Sequence, residues 1–222
     1  MSCAQCEGIE AEFDDAKVRK KLRRYRRRGP DRTTRLLIEG LRREMDGVGA
    51  PRATLLDIGA GLGAIHHALL DGPVSSAVHV DASSASLALA REETGIRGHA
   101  TRVEFVQGDF TRIAEALGAA DLVTLDRVIC CYDDMDRLVA LAASRARRVL
   151  GAVYPRAAWW MRLAFAAGNL LLRLRRSAFR IFVHDPRAID AVLRAEGLER
   201  HSLRRTFGWE IVVYARRVAV PA

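Results

Sequence analysis

The stretch from Leu55 to Gly63 constrains the fold of this chain more than any other part of the sequence. It reads Leu-Leu-Asp-Ile-Gly-Ala-Gly-Leu-Gly, so apolar residues typical of a central strand run into a turn with three alternate glycines. Glycines lack a Cβ atom, which lets the backbone turn sharply and approach a ligand closely. The stretch therefore predicts a buried strand, a tight turn and a helix, with a nucleotide-sized site at the turn.

The charge of Asp57 separates the cofactors that such a turn can serve. Gly59, Gly61 and Ala64 also satisfy the dinucleotide pattern, so a nicotinamide enzyme is one alternative. The Asp57 carboxylate would repel a pyrophosphate, whereas S-adenosylmethionine (SAM) presents a cationic sulfonium and an ammonium group. This charge favours SAM, and a glycine turn that serves only strand-to-helix packing is a further alternative.

The composition indicates a folded protein of one domain. The chain has 222 residues, of which 50% are hydrophobic, enough for a substantial core. Its start lacks the basic residues and apolar run of a secretory signal, so we expect a cytoplasmic protein with reduced thiols and a frayed N-terminus. Cys3 and Cys6 form one CxxC pair, but a structural zinc site usually takes four ligands and Cys130 and Cys131 are adjacent. We therefore expect no metal.

The net charge of +9 is distributed unevenly near the N-terminus. Residues 7–15 hold five acidic residues, and residues 17–28 hold nine basic ones. The pattern predicts a helix over 14–27 with Val18, Leu22 and Tyr25 as its apolar stripe, and a second helix from Asp31 to about residue 46. The basic face is compatible with a solvated surface, an anionic substrate, nucleic acid or an anionic membrane, and no aromatic run accompanies it to stack bases.

Carboxylates follow three of the later strands. Asp81 lies 24 residues after Asp57, where a strand–helix–strand unit places an acid that accepts hydrogen bonds from both ribose hydroxyls. A helix cap is the alternative role for Asp81. Asp109 could accept from an adenine amine, Phe110 could flank the ring, and Asp126 ends the next strand. The strands are predicted over 77–81, 102–110, 121–126 and 148–153.

The end of the chain differs from the usual dinucleotide fold. Strands that alternate with helices imply a parallel sheet with ligands at the carboxyl ends of its strands. A helix is predicted from Asp185 to about Glu196, and the strands 198–205 and 209–216 then pair as an antiparallel hairpin. The strongly apolar segment 157–176 is predicted to line a substrate pocket, to lie on a membrane surface or to pack in the core; Arg162 argues against a membrane span.

These features resemble the class I SAM-dependent methyltransferases over about residues 50–216. The resemblance implies a Rossmann-like seven-stranded α/β sheet of order 3-2-1-4-5-7-6 with the last strand antiparallel, helices on both faces, SAM as cofactor and S-adenosylhomocysteine (SAH) as product. It implies that Asp57 and the glycine turn lie along the methionine part, Asp81 at the ribose, Asp109 at the adenine and Asp126 at the amino group. The cofactor residues implied are Asp57, Gly59, Ala60, Gly61, Gly63, Asp81, Ala82, Asp109, Phe110 and Asp126.

A closer similarity is to the magnesium-protoporphyrin O-methyltransferases. It rests on the strand exit Val153-Tyr154-Pro155-Arg156, the apolar segment after it and Phe182-Val183-His184. Those enzymes usually carry Ile-His-Tyr after the fourth strand. Here the run is Ile129-Cys130-Cys131-Tyr132, so the histidine is absent.

The expected function is methyl transfer from SAM to a small, largely apolar and possibly anionic acceptor. A carboxylate acceptor needs no base, while an amine or phenol needs one, and Tyr132, Asp133, His184 and Tyr25 are candidates by position. Alternatives are a porphyrin-type carboxylate O-methyltransferase, an RNA methyltransferase that uses the basic helix, and a non-catalytic SAM-binding or membrane-surface protein. The expected organisation is a helical extension or lid over 1–48 and a methyltransferase domain over 49–222, as a monomer or homodimer.

Overall fold

The computed structural model describes residues 4–48 and 52–216, which form a mixed sheet covered by helices. The helices are α1 Ala4–Glu12, α2 Asp15–Arg28, α3 Arg32–Val48, α4 Ala64–Leu70, α5 Ser84–Ile96, α6 Phe110–Ile113, α7 Met135–Arg145, α8 Trp159–Leu174 and α9 Pro186–Ala195. The strands are β1 Ala53–Ile58, β2 Val74–Asp81, β3 Val103–Gln107, β4 Ala120–Asp126, β5 Ala146–Pro155, β6 Leu198–Arg205 and β7 Trp209–Arg216.

The sheet has the predicted topology. Its strand order is β3-β2-β1-β4-β5-β7-β6, and β7 runs antiparallel to both of its neighbours while the other pairs are parallel. The parallel pairs bring the carboxyl ends of β1, β2 and β4 to one edge, so the residues that follow these strands meet there. The predicted α/β fold class is confirmed.

Helices cover both faces of the sheet. On one face α7 and α9 bury Leu138 and Ile189 against β4 and β7, and on the other α3 and α4 bury Leu41 and Leu69. A Cβ atom on Gly151 in β5 would lie 2.8 Å from a methyl carbon of Leu37, so α3 packs directly on the sheet there. The last helix before the glycine turn is therefore part of the core and positions the site.

The two N-terminal helices lie over the site edge of the sheet. The predicted stripe of α2, Val18, Leu22 and Tyr25, is buried against Leu62 and Leu89. The expectation of a frayed terminus is wrong for residues 4–12, which form α1, because Ile9 is buried and the main chain at Gly8 packs against that of Phe179 too closely for a Cβ atom. Cys3 and the side chain of Cys6 lie outside the described residues.

The apolar segment after β5 folds as one helix, α8, rather than a helix pair. Met161 is its one buried residue, and Asn169 fixes the helix by bonding both main-chain groups of Ile181, at 2.7 Å and 2.9 Å. Within the ranges 4–48 and 52–216 no helix combines the length and apolarity needed to cross a bilayer.

Candidate active site

The glycine turn has the geometry that its sequence predicts. Gly59 and Gly63 adopt φ values of 60° and 76°, a region that residues with a Cβ atom rarely occupy. A Cβ atom at Gly59 would collide with Val128, and one at Gly63 would collide with the buried ring of His66. A Cβ atom at Gly61 would lie 3.5 Å from Nζ of Lys21 and would meet no other atom within 4 Å, so the middle of the turn faces open space. The backbone there is accessible to a ligand.

Two adjoining cavities lie at this turn. The first, of about 240 Å³, runs from Gly59 and Asp81 to Phe110 and Tyr132, and the second, of about 300 Å³, runs beneath α2 and the start of α3. Both are bordered by Gly59, Gly61, Lys21, Asp126 and Arg127. Of the cofactor residues implied by the sequence, these cavities bring together Asp57, Gly59, Ala60, Gly61, Asp81, Ala82, Phe110 and Asp126.

Asp81 is positioned by the main chain around it. Its Oδ2 accepts from the main-chain N–H of Gly61 at 2.8 Å, and its Oδ1 accepts from that of Ser83 at 2.8 Å. Burial raises the pKa of this carboxyl, while these two hydrogen bonds and the charge of Lys21 oppose the rise. The remaining lone pairs face the first cavity, so Asp81 can accept further hydrogen bonds.

Asp57 lies deeper, beneath the turn. Its Oδ1 accepts from the Thr124 hydroxyl at 2.6 Å, and Oδ2 is buried with no hydrogen bond from any described residue, 3.5 Å from Nδ1 of His66. Asp57 also borders the second cavity. A negative charge with unused acceptor capacity at this position suits the cationic end of SAM.

Asp126 is held by residues that the sequence did not indicate. Its Oδ2 accepts from Thr34 of α3 at 2.5 Å, and its Oδ1 accepts from Nε of Arg127 at 3.0 Å. Arg127 has a positive φ of 62° and also contacts Asp31 at 2.6 Å. Burial raises the pKa of Asp31, but Arg127, the main-chain N–H of Thr34 and the hydroxyl of Thr33 outweigh it and lower that pKa to about 2. Burial lowers the pKa of Arg127, but the carboxylates of Asp126 and Asp31 outweigh burial and raise it.

Asp109 is in a different environment from the one implied by the family resemblance. It caps α6, and its Oδ1 accepts from the main-chain N–H of Thr111 at 3.0 Å and from the Tyr132 hydroxyl at 2.9 Å. Gly108 and Phe110 line the first cavity on either side of it, while Asp109 itself does not. Its contact with adenine stays a prediction.

Of the four candidate bases, Tyr25 belongs to the buried cluster of α2 and borders the second cavity, and the other three do not converge. Tyr132 lines the first cavity, but Asp133 is exposed and borders neither cavity. His184 also borders neither, and its Nε2 lies 2.8 Å from the main-chain oxygen of Tyr132. His184 thus contacts the main chain beside the cavity, and the three catalytic roles stay predictions. The described residues contain no cluster of metal-ligating side chains.

Lys21 is the most important site residue that the sequence did not indicate. It extends from α2 to the junction of the cavities, where Nζ makes no hydrogen bond or ion pair with the described part of the chain. Desolvation and then the charge of Arg127 lower its pKa, while Asp126, Asp81 and Asp31 oppose this, and the residue as a whole remains exposed to solvent. Lys21 lies three residues after Val18, beside the apolar stripe of α2, and this position is the sequence signal that could have placed it on the inner side of the helix.

Comparisons with known proteins agree with this fold. Residues 56–151 match the family described as a methyltransferase domain. The structure of magnesium protoporphyrin IX methyltransferase from Synechocystis PCC 6803 with bound SAH is 17% identical with a TM-score of 0.68, over 94% of this chain and 100% of that chain. The structure of the same enzyme with bound SAM is 15% identical with a TM-score of 0.70, over 97% of this chain and 99% of that chain. A putative RNA methyltransferase from Pyrococcus horikoshii is 12% identical with a TM-score of 0.60, over 87% and 86%.

Fold, glycine turn and matched domain together define a SAM-dependent methyltransferase. Its cofactor is SAM, and SAH is the product. No curated protein matches the sequence. The acceptor therefore has to be inferred from the residues of the site itself.

Proposed function

We propose that this methyltransferase acts on a small, largely apolar acceptor that carries an anionic group. The observation that carries the proposal is Lys21, a cation at the junction of the two cavities with no hydrogen-bond or ion-pair partner among the described residues. Arg127, the other cation that borders both cavities, is bound to Asp31 and Asp126 and is not free to pair with a ligand, and Arg24 borders the second cavity alone. An anionic group on the acceptor would pair with Lys21.

The residues around the turn fit SAM, which supplies a methyl group on a sulfonium sulfur. Asp81 would hold the ribose, Ala82 and Phe110 would border the adenosine, and the turn with Asp57 would lie along the methionine part. Asp57 and Asp126 give this end of the site a negative potential, which favours the cationic cofactor. Gly61 leaves the backbone accessible, because a Cβ atom there would face only Lys21.

The chain's own residues contribute positioning and the exclusion of water. Ile9 and Phe13 of the N-terminal segment line the first cavity opposite Val128. They would cover the apolar body of the acceptor, so that Lys21 sets its orientation. A carboxylate acceptor held in this way needs no proton acceptor, which agrees with a site whose candidate bases do not converge. Residues 1–48 would thus serve as the lid of the domain.

Calorimetry with SAH tests the cofactor half of this proposal. Asp81→Asn removes one acceptor for the ribose hydroxyls and the charge beside them, and we expect an affinity at least about tenfold lower than that of wild type. Asp136→Asn, on the exposed side of α7, is the matched control and should bind normally. Equal affinity of Asp81→Asn and wild type would remove the ribose assignment.

Transfer of a labelled methyl group from SAM tests the acceptor half. Apolar carboxylic acids, their amides, porphyrins with free propionates and RNA would be compared as acceptors. The proposal expects methylation of acids and little of the uncharged amides. Methylation of porphyrin alone would establish the porphyrin-type alternative, and methylation of RNA alone would reject a small acceptor.

The structure gives less support to RNA than the basic run suggests. Lys17, Arg19 and Arg26 of α2 form ion pairs with acidic residues of the chain, and Lys21 faces the cavities. Fewer charges are therefore free for phosphates than the nine counted in the sequence.

A further inference from the structure

Helix α8 exposes an apolar stripe to solvent. Trp159, Leu163, Leu170 and Leu174 lie four, seven and four residues apart, which places them on one side of the helix. Their exposed fractions are 77%, 64%, 60% and 73%, and the nearby Phe207 is 80% exposed. Large apolar side chains grouped in this way mark an interaction surface. We refer to these five residues as the α8 stripe, to distinguish them from the buried stripe of α2.

The stripe is held rigidly in this exposed position. The inner side of α8 packs against residues 177–184, where Asn169 bonds both main-chain groups of Ile181 and Gly168 leaves room for its side chain. Phe182 in turn donates its main-chain N–H to Cys130 at 2.8 Å. The helix is thus fastened beside the residues that line the first cavity, and its outward side stays exposed without any rearrangement.

The charged residues on the segment that carries α8 are all basic. The sequence from Arg156 to His184 contains six arginines and no acidic residue. Four of them, Arg162, Arg173, Arg175 and Arg176, are exposed and form no ion pair with the described residues. Arg162 and Arg173 lie eleven residues apart, three helical turns, so they flank the same side of the stripe.

We propose that this stripe and its arginines dock the protein on the surface of an anionic phospholipid bilayer. An apolar side with a terminal tryptophan and flanking arginines is the pattern of a helix that lies in the membrane interface. The length of α8, 16 residues, suits this position better than a span. A symmetric contact with a second copy would place the same arginines against one another, and the segment from Arg156 to His184 has no acid to compensate.

The proposal concerns a surface outside the two cavities and does not depend on the acceptor. Docking there would place the N-terminal side of the site close to the bilayer, because α1 packs on Phe179, next to α8. An apolar acceptor could then reach the cavity from the lipid.

Vesicle flotation of the full chain tests the proposal. We expect binding to vesicles of phosphatidylcholine that contain about a third phosphatidylglycerol, and weaker binding to phosphatidylcholine alone or at high salt. The triple variant Leu163→Gln, Leu170→Gln, Leu174→Gln should lower binding by at least about tenfold. The variant Arg162→Gln, Arg173→Gln, Arg175→Gln should abolish the preference for the anionic lipid.

Matched controls change the same residue types elsewhere. Ile96→Gln replaces an exposed apolar residue of α5, and Arg187→Gln with Arg194→Gln removes exposed charge from α9. Both should float like wild type, and SAH affinity measured by calorimetry should report that every variant is folded. Absence of flotation with the anionic vesicles, or equal flotation of the leucine variant, overturns the proposal. A dimer that the leucine variant abolishes would assign the stripe to a second copy and overturn it as well.

Discussion

Nη1 of Arg127 lies 2.6 Å from Oδ2 of Asp31, and this ion pair joins the loop after β4 to the residue that caps α3. The hydroxyl of Thr34 adds a second link by donating to Asp126 at 2.5 Å. Both links cross one wall of the second cavity. The N-terminal helices are therefore fixed to the carboxyl edge of the sheet by charge as well as by the apolar contacts of α2.

Loss of the Asp31 carboxylate should destabilise the fold in a way that depends on pH. Because the pKa of Asp31 is lowered from 3.8 to about 2, its contribution is present above pH 4 and disappears as the pH falls towards 2. We expect Asp31→Asn to lower the free energy of unfolding by roughly 1–2 kcal/mol near pH 7, after allowing for partial solvent screening.

Urea unfolding of wild type and Asp31→Asn between pH 7 and pH 2 measures this difference. The variant Asp46→Asn, an exposed carboxylate at the other end of α3, is the control and should follow wild type. A deficit of Asp31→Asn that is as large at the acid end as at neutral pH would contradict the assigned pKa.

Alanine at Gly63 should be far more damaging than alanine at Gly98. The two glycines have φ values of 76° and 72°, so both variants carry the backbone cost of about 1 kcal/mol. Only at Gly63 does the new Cβ atom meet a buried side chain, the ring of His66, so we expect a total loss of about 3 kcal/mol or more. Thermal or urea unfolding compares the two, and similar losses would show that the turn tolerates a methyl group.

Lys21→Met should weaken binding of the acceptor and leave binding of the cofactor unchanged. We expect KM for an anionic acceptor to rise by about tenfold, since one charge-assisted contact is lost, with little change in SAH affinity. The control Lys20→Met changes the adjacent exposed lysine. A loss of SAH affinity as large as the rise in KM would assign Lys21 to the cofactor instead.

The same residue predicts an alkaline limit for activity. The pKa of Lys21 is lowered from 10.5, mainly by desolvation, so its charge is present below that lowered pKa and is lost as the pH rises through it. The value of kcat/KM for an anionic acceptor should therefore fall on the alkaline side in wild type. In Lys21→Met this limb should be missing, and its persistence would point to another group.

Two buried tyrosines should contribute unequally to stability. The Tyr214 hydroxyl donates to Oδ1 of Asp190 at 2.6 Å, while the Tyr154 hydroxyl lies 3.3 Å from that of Tyr214. Tyr214→Phe leaves a largely buried carboxylate short of a donor and should cost about 2–3 kcal/mol, whereas Tyr154→Phe should cost about 1 kcal/mol. Denaturant unfolding of the two variants gives the comparison, and a larger loss for Tyr154→Phe would be contrary to it.

The sheet could be predicted because its signals are local. The glycine turn, the alternation of strands and helices and the helix starts at Asp31 and Asp185 each depend on a few neighbouring residues, and the structure has all of them. Helix α1 was not predicted because its nine residues include a glycine and Ile9 as the one large apolar side chain, and it is stabilised by Ile9 and by packing on the distant residue Phe179.

Side-chain partners in the site depend on contacts that no local pattern contains. Sequence position places Asp109 at the end of its strand, but the hydroxyl of Tyr132, 23 residues away, determines where its carboxylate points. Lys21 was counted with a basic surface, and only the packing of α2 against α5 turns it towards Asp81. Charge counts along the chain therefore overestimate the free basic surface and miss the lysine that borders both cavities.

The position of β7 between β5 and β6 has a consequence for synthesis on the ribosome. Strand β5 ends at Pro155, yet the strand that completes its outer side begins only at Trp209. Throughout the interval a nascent chain carries an apolar strand with unpaired main-chain groups along one edge, the kind of edge that recruits other chains. Pairing of the C-terminal hairpin with β5 thus removes this aggregation-prone edge. A chain released before Trp209 would keep the unpaired edge of β5 permanently.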